Sequence, residues 1–539
     1  MCGSCMATRL VVLSGPIGVG KSTLTKSLAT RFGARIVKTR ELLDLEAQHS
    51  FKTIHSREEY QAFGEALDLR DGGQWVANAV HELFRREPAD FICVDSVRIQ
   101  AQIDFLRKQY GLAVFHLHMT ADIEDLEMRF LERSVTFEEA ASYAESQLCE
   151  TERAVHHLAA RADAVVNTSR CNPGDVVVRV ATYLKLLSRD HAPSVDLLVG
   201  GQFGSEGKGH IASFLAREYQ LLIRGGGPNA GHKVYETPSV YTHHQLPCGT
   251  RSTTAQLMIA PGAIINPEAL LKEIADCGVT PERLSIDPRV MIISREDIRA
   301  EELLVKRIGS TGQGVGAAAA RRIMGRSEPA LLARDVAALK PFIQDTNRLL
   351  ENAYLHGDRI LIEGTQGAGL SLYHGSYPNV TSRDTSASAC VSEAGISPKR
   401  VRKIVMTCRT YPIRVQNGTE GTSGPLGKEL SWSEVAKRSG YSEEELTAAE
   451  KTSTTGRQRR VSEFDWVQLR RAALLNGPTD IALTFADYLD RKNTDARRFE
   501  QLTDATIKFA EEVENVTGAP VSLISTRFNF RSIIDRRNW

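Results

Sequence analysis

The sequence predicts an α/β protein with two domains, each built on a mostly parallel central sheet. The β-branched run Leu10–Leu13 and the apolar run Val195–Val199 each lead into glycine-rich loops and then into helical patterns. A polar, proline-containing stretch over residues 188–194 lies between the two halves and is typical of a linker. We therefore predict two domains of P-loop type, over residues 8–187 and 195–539.

Composition and charge exclude several classes of protein. The 539 residues are 42% hydrophobic and 25% charged, which is typical of soluble globular domains. Sixty-seven basic and 66 acidic residues leave a formal charge of +1, so neither nucleic acid nor a membrane surface is an expected partner. No apolar run approaches the ~20 residues of a membrane span, and Met1–Thr8 lacks the features of a signal peptide. Nine scattered cysteines favour a reducing compartment, so we expect a cytoplasmic protein.

The loop after the first predicted strand fits the pattern G-x-x-x-x-G-K-[ST] over residues 15–22. Its glycines let backbone N–H groups turn toward phosphate oxygens, while Lys21 neutralises phosphate charge and the Ser22 hydroxyl reaches Mg²⁺. A helical pattern follows over Ser22–Phe32, and its N-terminus adds to the attraction for phosphate. The expected phosphate site comprises Gly15, Gly18, Gly20, Lys21, Ser22 and Thr23.

Other polar residues indicate what kind of P-loop domain this is. Asp95 ends the apolar run Phe91–Val94, where a magnesium-organising carboxylate belongs, and Arg98 follows on the same loop. Arg129 and Arg133 are four residues apart on a predicted helix, where they either close over a transferred phosphate or form a solvated face.

The segments Lys38–Leu43, Asp95–Arg98 and Ala162–Asn167 resemble those of the nucleoside monophosphate kinase group. The resemblance covers about residues 8–187, and it implies phosphoryl transfer from ATP to a nucleotide or a similar small acceptor. It also implies that Thr39 and Arg40 lie near the acceptor, but it does not specify which acceptor.

The second domain opens with two glycine-rich loops of a different spacing. Gly201–Gly209 places Lys208 before a helix predicted over Ile211–Glu218, which favours an anion site. Gly226–His232 places one imidazole in a second loop, where proton transfer or phosphate contact is a suitable role for His232.

These loops and five later segments resemble the adenylosuccinate synthetase family across residues 195–539. The later segments are Ile308–Gly316, Glu363–Gly367, His374–Ser382, Arg414–Val415 and Thr454–Arg460. The resemblance implies an adenylosuccinate synthetase fold and a two-step ligation that needs Mg²⁺. In this reaction the 6-oxygen of a purine nucleotide takes a γ-phosphoryl group, and the amine of L-aspartate then displaces the phosphate. The resemblance also implies a homodimer, because the family inserts an arginine from the neighbouring subunit.

The resemblance assigns roles to individual residues. The implied catalytic residues are Ser205, Lys208, His232 and Gln366. The implied nucleotide-substrate residues are Asn229, Ser310, Thr311, Gln366, Thr381 and Val415, with Arg322 or Arg326 from the neighbouring subunit. The implied aspartate site comprises Thr454, Thr455, Arg457 and Arg459, whose guanidinium groups suit a dicarboxylate. The implied donor site comprises Gly204, Glu206, Gly207, Lys208, Gly209 and Asp487, with Ser205 and the Gly231 carbonyl as magnesium ligands.

Three positions depart from the family pattern. Ser205 takes the place of the family's aspartate, which is the general base, and a hydroxyl is not basic near neutral pH. Phe485 replaces the lysine of the guanine-reading Thr-Lys-x-Asp motif, and Ser525–Phe528 replaces the family's Ser-Thr-Gly-Pro. Because the guanine-reading segments are altered, ATP or dATP is the expected donor rather than GTP.

These departures resemble the phage-type 2-aminoadenylosuccinate synthetases, a subgroup that accepts dGMP. We therefore expect dGMP or GMP as the acceptor and a 2-amino-(deoxy)adenylosuccinate as the product, in an enzyme fused to a kinase. Two alternatives stay open: an ordinary adenylosuccinate synthetase acting on IMP with GTP, and a catalytically weakened domain that senses nucleotides for the kinase. Aspartate incorporation into dGMP or IMP distinguishes among the three.

Overall fold

The structure, a computed structural model, describes residues 9–134, 143, 154–188, 190–235, 239–326, 330–451, 456, 458–529 and 532–539. The chain divides into two compact units, Met1–Arg189 and Asp190–Trp539, and the division falls inside the segment predicted as a linker. Each unit has its own central sheet and its own hydrophobic core.

The described part of the first unit contains one five-stranded sheet. Its strands are β1 (Arg9–Ser14), β2 (Arg35–Lys38), β3 (Phe91–Asp95), β4 (Val114–Thr120) and β5 (Ala164–Asn167). The order is β2-β3-β1-β4-β5 and every pairing is parallel, so the loop after the central strand opens at the carboxyl edge. The helices are α1 (Lys21–Phe32), α2 (Thr39–His49), α3 (Arg57–Asp71), α4 (Gln74–Arg86), α5 (Gln100–Tyr110), α6 (Ile123–Ser134) and α7 (Pro173–Tyr183).

Strand β1 forms because its apolar side chains are covered on both faces of the sheet. Val11 and Leu13 pack into one buried cluster, whereas Leu10 and Val12 pack into the cluster on the other face. Helix α1 begins directly after Gly20, whose φ of 94° is in the left-handed region that favours glycine. The P-loop is thereby held between a buried strand and the first turn of a helix.

The second unit contains a larger sheet with smaller ones around it. The strands are β6 (Val195–Gly200), β7 (Leu221–Arg224), β8 (His232–Tyr235), β9 (Val240–His243), β10 (Gln256–Ile259), β11 (Ile264–Ile265), β12 (Leu284–Ile286), β13 (Met291–Ile292), β14 (Ile360–Glu363), β15 (Val401–Arg409), β16 (Ile413–Val415), β17 (Glu429–Leu430), β18 (Arg459–Ser462), β19 (Asp480–Thr484), β20 (Val521–Ser525) and β21 (Ile533–Asp535). Within the described ranges, nine strands form one sheet in the order β12-β10-β7-β14-β6-β15-β19-β20-β21. All its pairings are parallel except that of β20 with β21. The others form the hairpin β8–β9, the pair β11–β13 and the sheet β16-β18-β17.

The helices of the second unit lie on and around the large sheet. They are α8 (Lys208–Leu215), α9 (Pro267–Asp276), α10 (Arg295–Ala300), α11 (Glu302–Ile308), α12 (Val315–Met324), α13 (Thr346–His356), α14 (Ala387–Ala394), α15 (Trp432–Ser439), α16 (Glu443–Ala449), α17 (Trp466–Asn476) and α18 (Asp504–Thr517). The helix predicted over Ile211–Glu218 begins three residues earlier, because Gly207 has a φ of 81° and opens the first turn at Lys208. Its last part, Ala216–Glu218, is a 3₁₀ turn.

The central strand β6 shows how the large sheet is buried. Val195, Leu197 and Val199 pack into the cluster on one face, and Leu198 packs into the cluster on the other. The predicted α/β class with mostly parallel sheets is therefore confirmed. Among the described residues, no helix combines the length and the apolar character needed to cross a membrane.

Candidate active site

A cavity of about 720 Å³ lies in the second unit, where β6, β7, β14 and β19 end. The carboxyl edge of a parallel sheet is a common place for ligands, and this volume suits a small molecule. The cavity brings together many residues expected from the sequence: Gly204, Ser205, Gly207, Lys208, Gly209, Asn229, Gly231, His232, Ser310, Thr311, Gln366, Thr381, Val415, Arg459 and Asp487.

The loop after β6 is held in shape by a buried carboxylate. Glu206 accepts hydrogen bonds from the amides of Gln202 (3.1 Å) and Gly204 (2.7 Å) and from the ammonium group of Lys208 (2.6 Å). Glu206 is fully buried beneath the loop, so the structure does not bring it to the cavity wall with the other expected donor-site residues. Lys208 also donates to the Gly204 carbonyl (3.0 Å) and lines the cavity, where its charge suits a phosphate group.

Glycines let this loop pack directly on the backbone of Gln366. A Cβ at Gly200 would lie 2.5 Å from the carbonyl oxygen of Gln366 and 2.9 Å from Nζ of Lys208. Gly204 has a φ of 99°, and a Cβ there would lie 3.1 Å from Cα of Gln366. The amide of Gln366 and the ammonium group of Lys208 therefore share one wall of the cavity.

His232, the first residue of β8, is positioned by two buried charged groups. Its Nδ1 contacts Oε1 of Glu363, and Nη1 of Arg224 lies 2.8 Å from the same oxygen and 3.1 Å from Nδ1. Burial and Arg224 lower the pKa of His232 to about 4, so the ring is neutral at pH 7. Burial opposes ionisation of Glu363, but Arg224 and His232 outweigh it and hold the pKa of Glu363 below its usual range. Nε2 of His232 has no hydrogen-bond partner among the described residues, so it is available to a ligand.

Cys248 lies beside this group, and ligand atoms of His232, Cys248 and Glu363 all lie within 4.8 Å of one another. The guanidinium group of Arg224 reaches the same place, with Nη1 3.9 Å from Sγ of Cys248. Since the arginine already supplies the positive charge that Glu363 requires, the cluster is a buried ion pair with an imidazole rather than a metal centre.

Small polar groups line the part of the cavity expected to hold the substrate nucleotide. Nδ2 of Asn229 lies 3.5 Å from Oγ1 of Thr381, and the Thr365 hydroxyl donates to Oε1 of Gln366 (2.9 Å). Arg414, next to Val415, has its Cζ 4.6 Å from the ring centroid of Phe203. The neutral groups of Asn229, Thr381 and Gln366 suit phosphate oxygens and base edges, and Arg414 adds a positive charge beside them.

Arg322 and Arg326 do not line the large cavity, and both are exposed. Arg322 lines a separate cavity of about 210 Å³ with Ser382 and Arg383, and its Nη1 lies 3.5 Å from the Pro261 carbonyl. Both arginines lie near the end of α12, outside the large cavity.

The expected aspartate site is described only in part. Thr454, Thr455 and Arg457 lie outside the described residues. Arg459, the first residue of β18, lines the cavity with its Nη1 3.1 Å from Oε2 of Glu450. Glu450 is buried and also accepts a hydrogen bond from Nη2 of Arg409 (2.8 Å), so one carboxylate links two guanidinium groups.

The segment after β19 forms the expected donor end of the cavity. The Thr484 hydroxyl donates to the Glu206 carbonyl (2.7 Å) and so ties this segment to the phosphate loop. Phe485 has a φ of 59°, and Cζ of Arg409 lies 3.9 Å from the centroid of its ring, which is cation–π geometry. Burial raises the pKa of Asp487 to about 7, and this residue lines the cavity.

The P-loop of the first unit is closed around its lysine. Nζ of Lys21 donates to the carbonyls of Gly15 (2.5 Å) and Pro16 (2.8 Å). Gly18 and Gly20 have φ values of 82° and 94°, and Ser22 and Thr23 are exposed in the first turn of α1. The expected phosphate-site residues therefore share one loop and one helix start.

Asp95 is the last residue of β3 and pairs in register with Leu13 of β1, which places it next to the P-loop. Burial raises the pKa of Asp95 even though positive groups, including Lys21, oppose the change. The Thr39 hydroxyl donates to the Ser96 carbonyl (2.6 Å) and accepts from the Ser96 amide (2.9 Å), so α2 is joined to the loop after β3.

The arginines expected around the kinase acceptor have different surroundings. The Arg98 amide donates to Oε1 of Gln102 (2.9 Å), which fixes the loop that carries this side chain. Cζ of Arg40 lies 4.7 Å from the ring centroid of Tyr60. Nη1 of Arg129 donates to the Thr168 hydroxyl (3.0 Å). Arg133 belongs to α6, but its side chain lies outside the described part of the structure.

Three buried charged residues that organise the large cavity were not found from the sequence: Arg224, Arg409 and Glu450. Arg224 does carry a signal, because it ends the apolar run Leu221–Ile223 directly before a glycine loop, and a buried charge needs a partner. Arg409 and Glu450 carry none, since their pairing depends on how the strands and loops fold together.

The fold and the cavity define a nucleotide-binding α/β enzyme, with a lysine in a phosphate loop, a positioned imidazole and a guanidinium group for an anionic ligand. A sequence model of the adenylosuccinate synthetase family matches residues 197–328 and 328–494. The adenylosuccinate synthetase of Methanocaldococcus jannaschii is 39% identical over 351 residues, which cover 64% of this chain and 96% of that protein. The Thermococcus onnurineus enzyme is 38% identical over 350 residues, covering 64% and 98%.

Solved structures of synthetases also match 64% of the chain. The succinoaminodeoxyadenylate synthetase of cyanophage S-2L, bound to dGMP and to dATP as an energy donor, has a TM-score of 0.54 at 26% identity and covers 64% of this chain and 96% of its own. The fully ligated adenylosuccinate synthetase of Plasmodium falciparum shares the fold, with a TM-score of 0.56 at 20% identity over 64% of this chain and 100% of its own. The chain therefore belongs to the adenylosuccinate synthetase family, and its second unit is a ligase of that type.

Proposed function

We propose that the second unit joins L-aspartate to C6 of dGMP or GMP and uses ATP or dATP as the phosphoryl donor. The observation that carries this proposal is Ser205, a neutral residue in the same cavity wall as Lys208, where the family resemblance implies an aspartate. A hydroxymethyl group is smaller than a carboxymethyl group, so it leaves room for the 2-amino group of guanine. The similarity to the cyanophage enzyme, which was solved with dGMP and dATP, supports both the acceptor and the donor.

The proposed reaction makes and breaks bonds in two steps. First the 6-oxygen bonds to the γ-phosphorus, the nucleoside diphosphate leaves, and N1 of the purine gives up its proton to solvent water. The amine of aspartate then bonds to C6, phosphate leaves, and the amine loses a proton.

The described side chains suit this chemistry. Lys208 stabilises the charge of the transferring phosphoryl group. His232 takes up a proton at Nε2 and donates it in a hydrogen bond to phosphate, while Glu363 holds Nδ1. Arg459 binds a carboxylate of the aspartate, and Gln366 contacts the purine.

Magnesium fits the neutral oxygens that Ser205 and the Gly231 carbonyl offer. Mg²⁺ binds oxygen and usually keeps water and phosphate ligands, so two neutral protein ligands are compatible with it. When bound, the ion neutralises charge on the triphosphate. Because the neutral Ser205 stands where the family has an aspartate, the protein offers the ion no negative charge there. We therefore expect Mg²⁺ to bind mainly together with the donor nucleotide.

The test is an assay in which L-aspartate and Mg²⁺ meet each of IMP, dIMP, GMP and dGMP with each of ATP, dATP and GTP. Mass spectrometry should show the succinylated product of dGMP or GMP with an adenine donor. A product formed only from IMP with GTP would instead identify an ordinary adenylosuccinate synthetase. Kinase activity that responds to purine nucleotides, without any aspartate incorporation, would identify a nucleotide sensor.

Two variants sharpen this assay. Ser205→Asp should lower turnover of guanine nucleotides and raise turnover of IMP, whereas Ser252→Asp changes a serine in a turn away from the cavity wall and should change neither. Lys208→Met should abolish aspartate incorporation with every acceptor, since a charge that stabilises phosphoryl transfer is lost.

We propose that the first unit transfers the γ-phosphoryl group of ATP to a nucleoside monophosphate or a similar small acceptor. Lys21 and Ser22 would bind phosphate and Mg²⁺, Asp95 would organise the ion, and Thr39, Arg40 and Arg98 would lie toward the acceptor, with Arg129 and Arg133 as the lid. Lys21→Met should abolish this transfer, while Lys26→Met, which changes an exposed lysine on the same helix, should not. Equal kinase rates in both variants would contradict the assignment.

A further inference from the structure

Asp487, at the donor end of the cavity, has two carboxylate oxygens in different situations. Oδ2 accepts a hydrogen bond from the Tyr441 hydroxyl (3.0 Å). Oδ1 makes no hydrogen bond to another described residue, and the residue as a whole is only 4% exposed. Asp487 and Tyr441 line the same cavity, so a ligand there meets a carboxylate with one oxygen already engaged.

Tyr441 is held in the position from which it makes this hydrogen bond. Its hydroxyl also lies 3.2 Å from Oγ1 of Thr494, and its ring packs edge-on against Tyr488 with centroids 6.0 Å apart. Cζ of Arg491 lies 4.8 Å from the centroid of the Tyr441 ring, which is cation–π geometry. Because both the ring and the hydroxyl of Tyr441 are held by neighbours, its hydrogen bond to Oδ2 of Asp487 is maintained.

Guanine and adenine, the bases of the two possible phosphoryl donors, differ in how many hydrogen bonds they can donate to a carboxylate. The Watson–Crick edge of guanine offers two adjacent donors, N1–H and the 2-amino group, which fit the two oxygens of one free carboxylate. Adenine offers a single amino donor next to the acceptor N1, so it needs only one oxygen. A hydrogen bond from a base to a buried carboxyl oxygen is strong enough to decide a preference between two donors.

We propose that Tyr441 is a donor-specificity residue: it occupies Oδ2 of Asp487 and leaves one oxygen, which suits the amino group of an adenine donor better than the paired donors of guanine. This inference rests on the proposed function, in which the donor is ATP or dATP. It assigns the preference to a contact between the short connection that joins α15 to α16 and the segment after β19.

The test compares kcat/KM for ATP and for GTP in aspartate ligation by the full chain. Tyr441→Phe keeps the ring and its packing but removes the hydroxyl, so both oxygens of Asp487 become available. We expect the GTP/ATP ratio of kcat/KM to rise about tenfold, which corresponds to about 1.4 kcal/mol. Tyr488→Phe is the matched control, because it removes the hydrogen bond of a neighbouring tyrosine to Glu450 (3.0 Å) and should leave the ratio within twofold of the wild type.

A second variant keeps the test valid if Tyr441→Phe is unstable. Asp487→Ala removes the carboxylate itself, so the two donors should be used at similar rates. If the wild type prefers ATP and neither variant changes the ratio, the role of Tyr441 is wrong while the proposed donor stands. If the wild type prefers GTP, the proposed donor is wrong, and the inference is overturned with it.

Discussion

At the scale of single residues, the proposed ligation depends on whether the His232 ring is neutral or protonated when it contacts the ligand. The neutral ring is held at Nδ1 by Glu363, its Nε2 makes no hydrogen bond to a described residue, and the residue lines the cavity. A triphosphate brings negative charge to this site and so favours the protonated ring. Glu363 stabilises that protonated form, which makes it a positioning residue for the imidazole.

We expect Glu363→Gln to lower kcat for ligation by about 10²-fold and to move the pH profile to lower pH, because the imidazolium loses its buried negative partner. The pH dependence of kcat/KM measures the shift. Glu273→Gln is the matched control: Glu273 is also a buried carboxylate beside a histidine, with Oε1 3.4 Å from Nδ1 of His243, but it does not line the cavity. An unchanged profile in the Glu363 variant would contradict this role.

Asp487 should make the second unit less stable as pH rises from about 4 to about 7. Burial raises its pKa to about 7, opposed by Tyr441 and Arg409, while Glu450 adds to the rise. In this window the folded protein binds more protons than the unfolded chain, so the free energy of unfolding falls by about 1.4 kcal/mol for each unit of raised pKa.

Urea unfolding at pH 5 and pH 8, followed for the wild type and for Asp487→Asn, measures this contribution. The loss of stability between the two pH values should be smaller in the variant, because an amide does not titrate. Asp490→Asn changes an aspartate close by in sequence whose carboxylate accepts from the Lys492 amide, and it should keep the wild-type pH dependence. If Asp487→Asn lost as much unfolding free energy between pH 5 and pH 8 as the wild type, the Asp487 carboxyl would not titrate in that range.

At the scale of secondary-structure elements, strand β15 connects three parts of the cavity through its last residue. Arg409 donates to the Ser205 carbonyl (3.2 Å) and to Glu450, and it stacks on Phe485. Glu450 in turn contacts Arg459 at the expected aspartate site. One guanidinium group therefore links the phosphate loop, the donor segment and the aspartate end.

Arg409→Lys should raise KM for both the donor and L-aspartate, about tenfold each, because an ammonium group cannot make the same paired contacts. The control is Arg402→Lys on the same strand, whose guanidinium group binds Asp196 at the opposite end of β15. That variant should lower stability without raising either KM. Steady-state kinetics with each substrate varied in turn distinguish the two, and a change in only one KM would contradict the proposed link.

The strands and loops followed from sequence because their signals are local. An apolar run followed by glycines requires only neighbouring residues, and this pattern correctly placed the P-loop and the loop that carries Lys208. The pairing of Arg224 with Glu363 is different, because these residues are 139 positions apart and meet only as register partners on β7 and β14. Strand order is set by how the whole sheet packs, so no local pattern contains it.

At the scale of the whole molecule, the expected homodimer requires that Arg322 or Arg326 act on the cavity of a second copy. Both are exposed near the end of α12 and outside the large cavity of their own chain. A residue that acts between subunits can be recognised by complementation, because two different inactive copies then form one complete site.

We expect Arg322→Leu or Arg326→Leu to lower ligation strongly, and a mixture of that variant with Lys208→Met to recover about a quarter of the wild-type rate. Half the random dimers are mixed, and in each of these one of two sites has both residues. Light scattering should give the mass of two chains. Mixing Lys208→Met with wild-type protein calibrates subunit exchange, and a mixture that recovers nothing would contradict action between subunits.

The close packing of Gly200 and Gly204 on Gln366 also matters for anyone who wants to evolve this ligase toward other purines. Any side chain at position 200 would overlap the Gln366 carbonyl, so we expect most substitutions there to abolish ligation. Substitutions are better directed to Ser205, Tyr441 and Phe485, which line the cavity and already carry side chains there. The close contacts of Gly200 and Gly204 therefore separate positions where a side chain cannot be added from cavity positions where the substrate range can change.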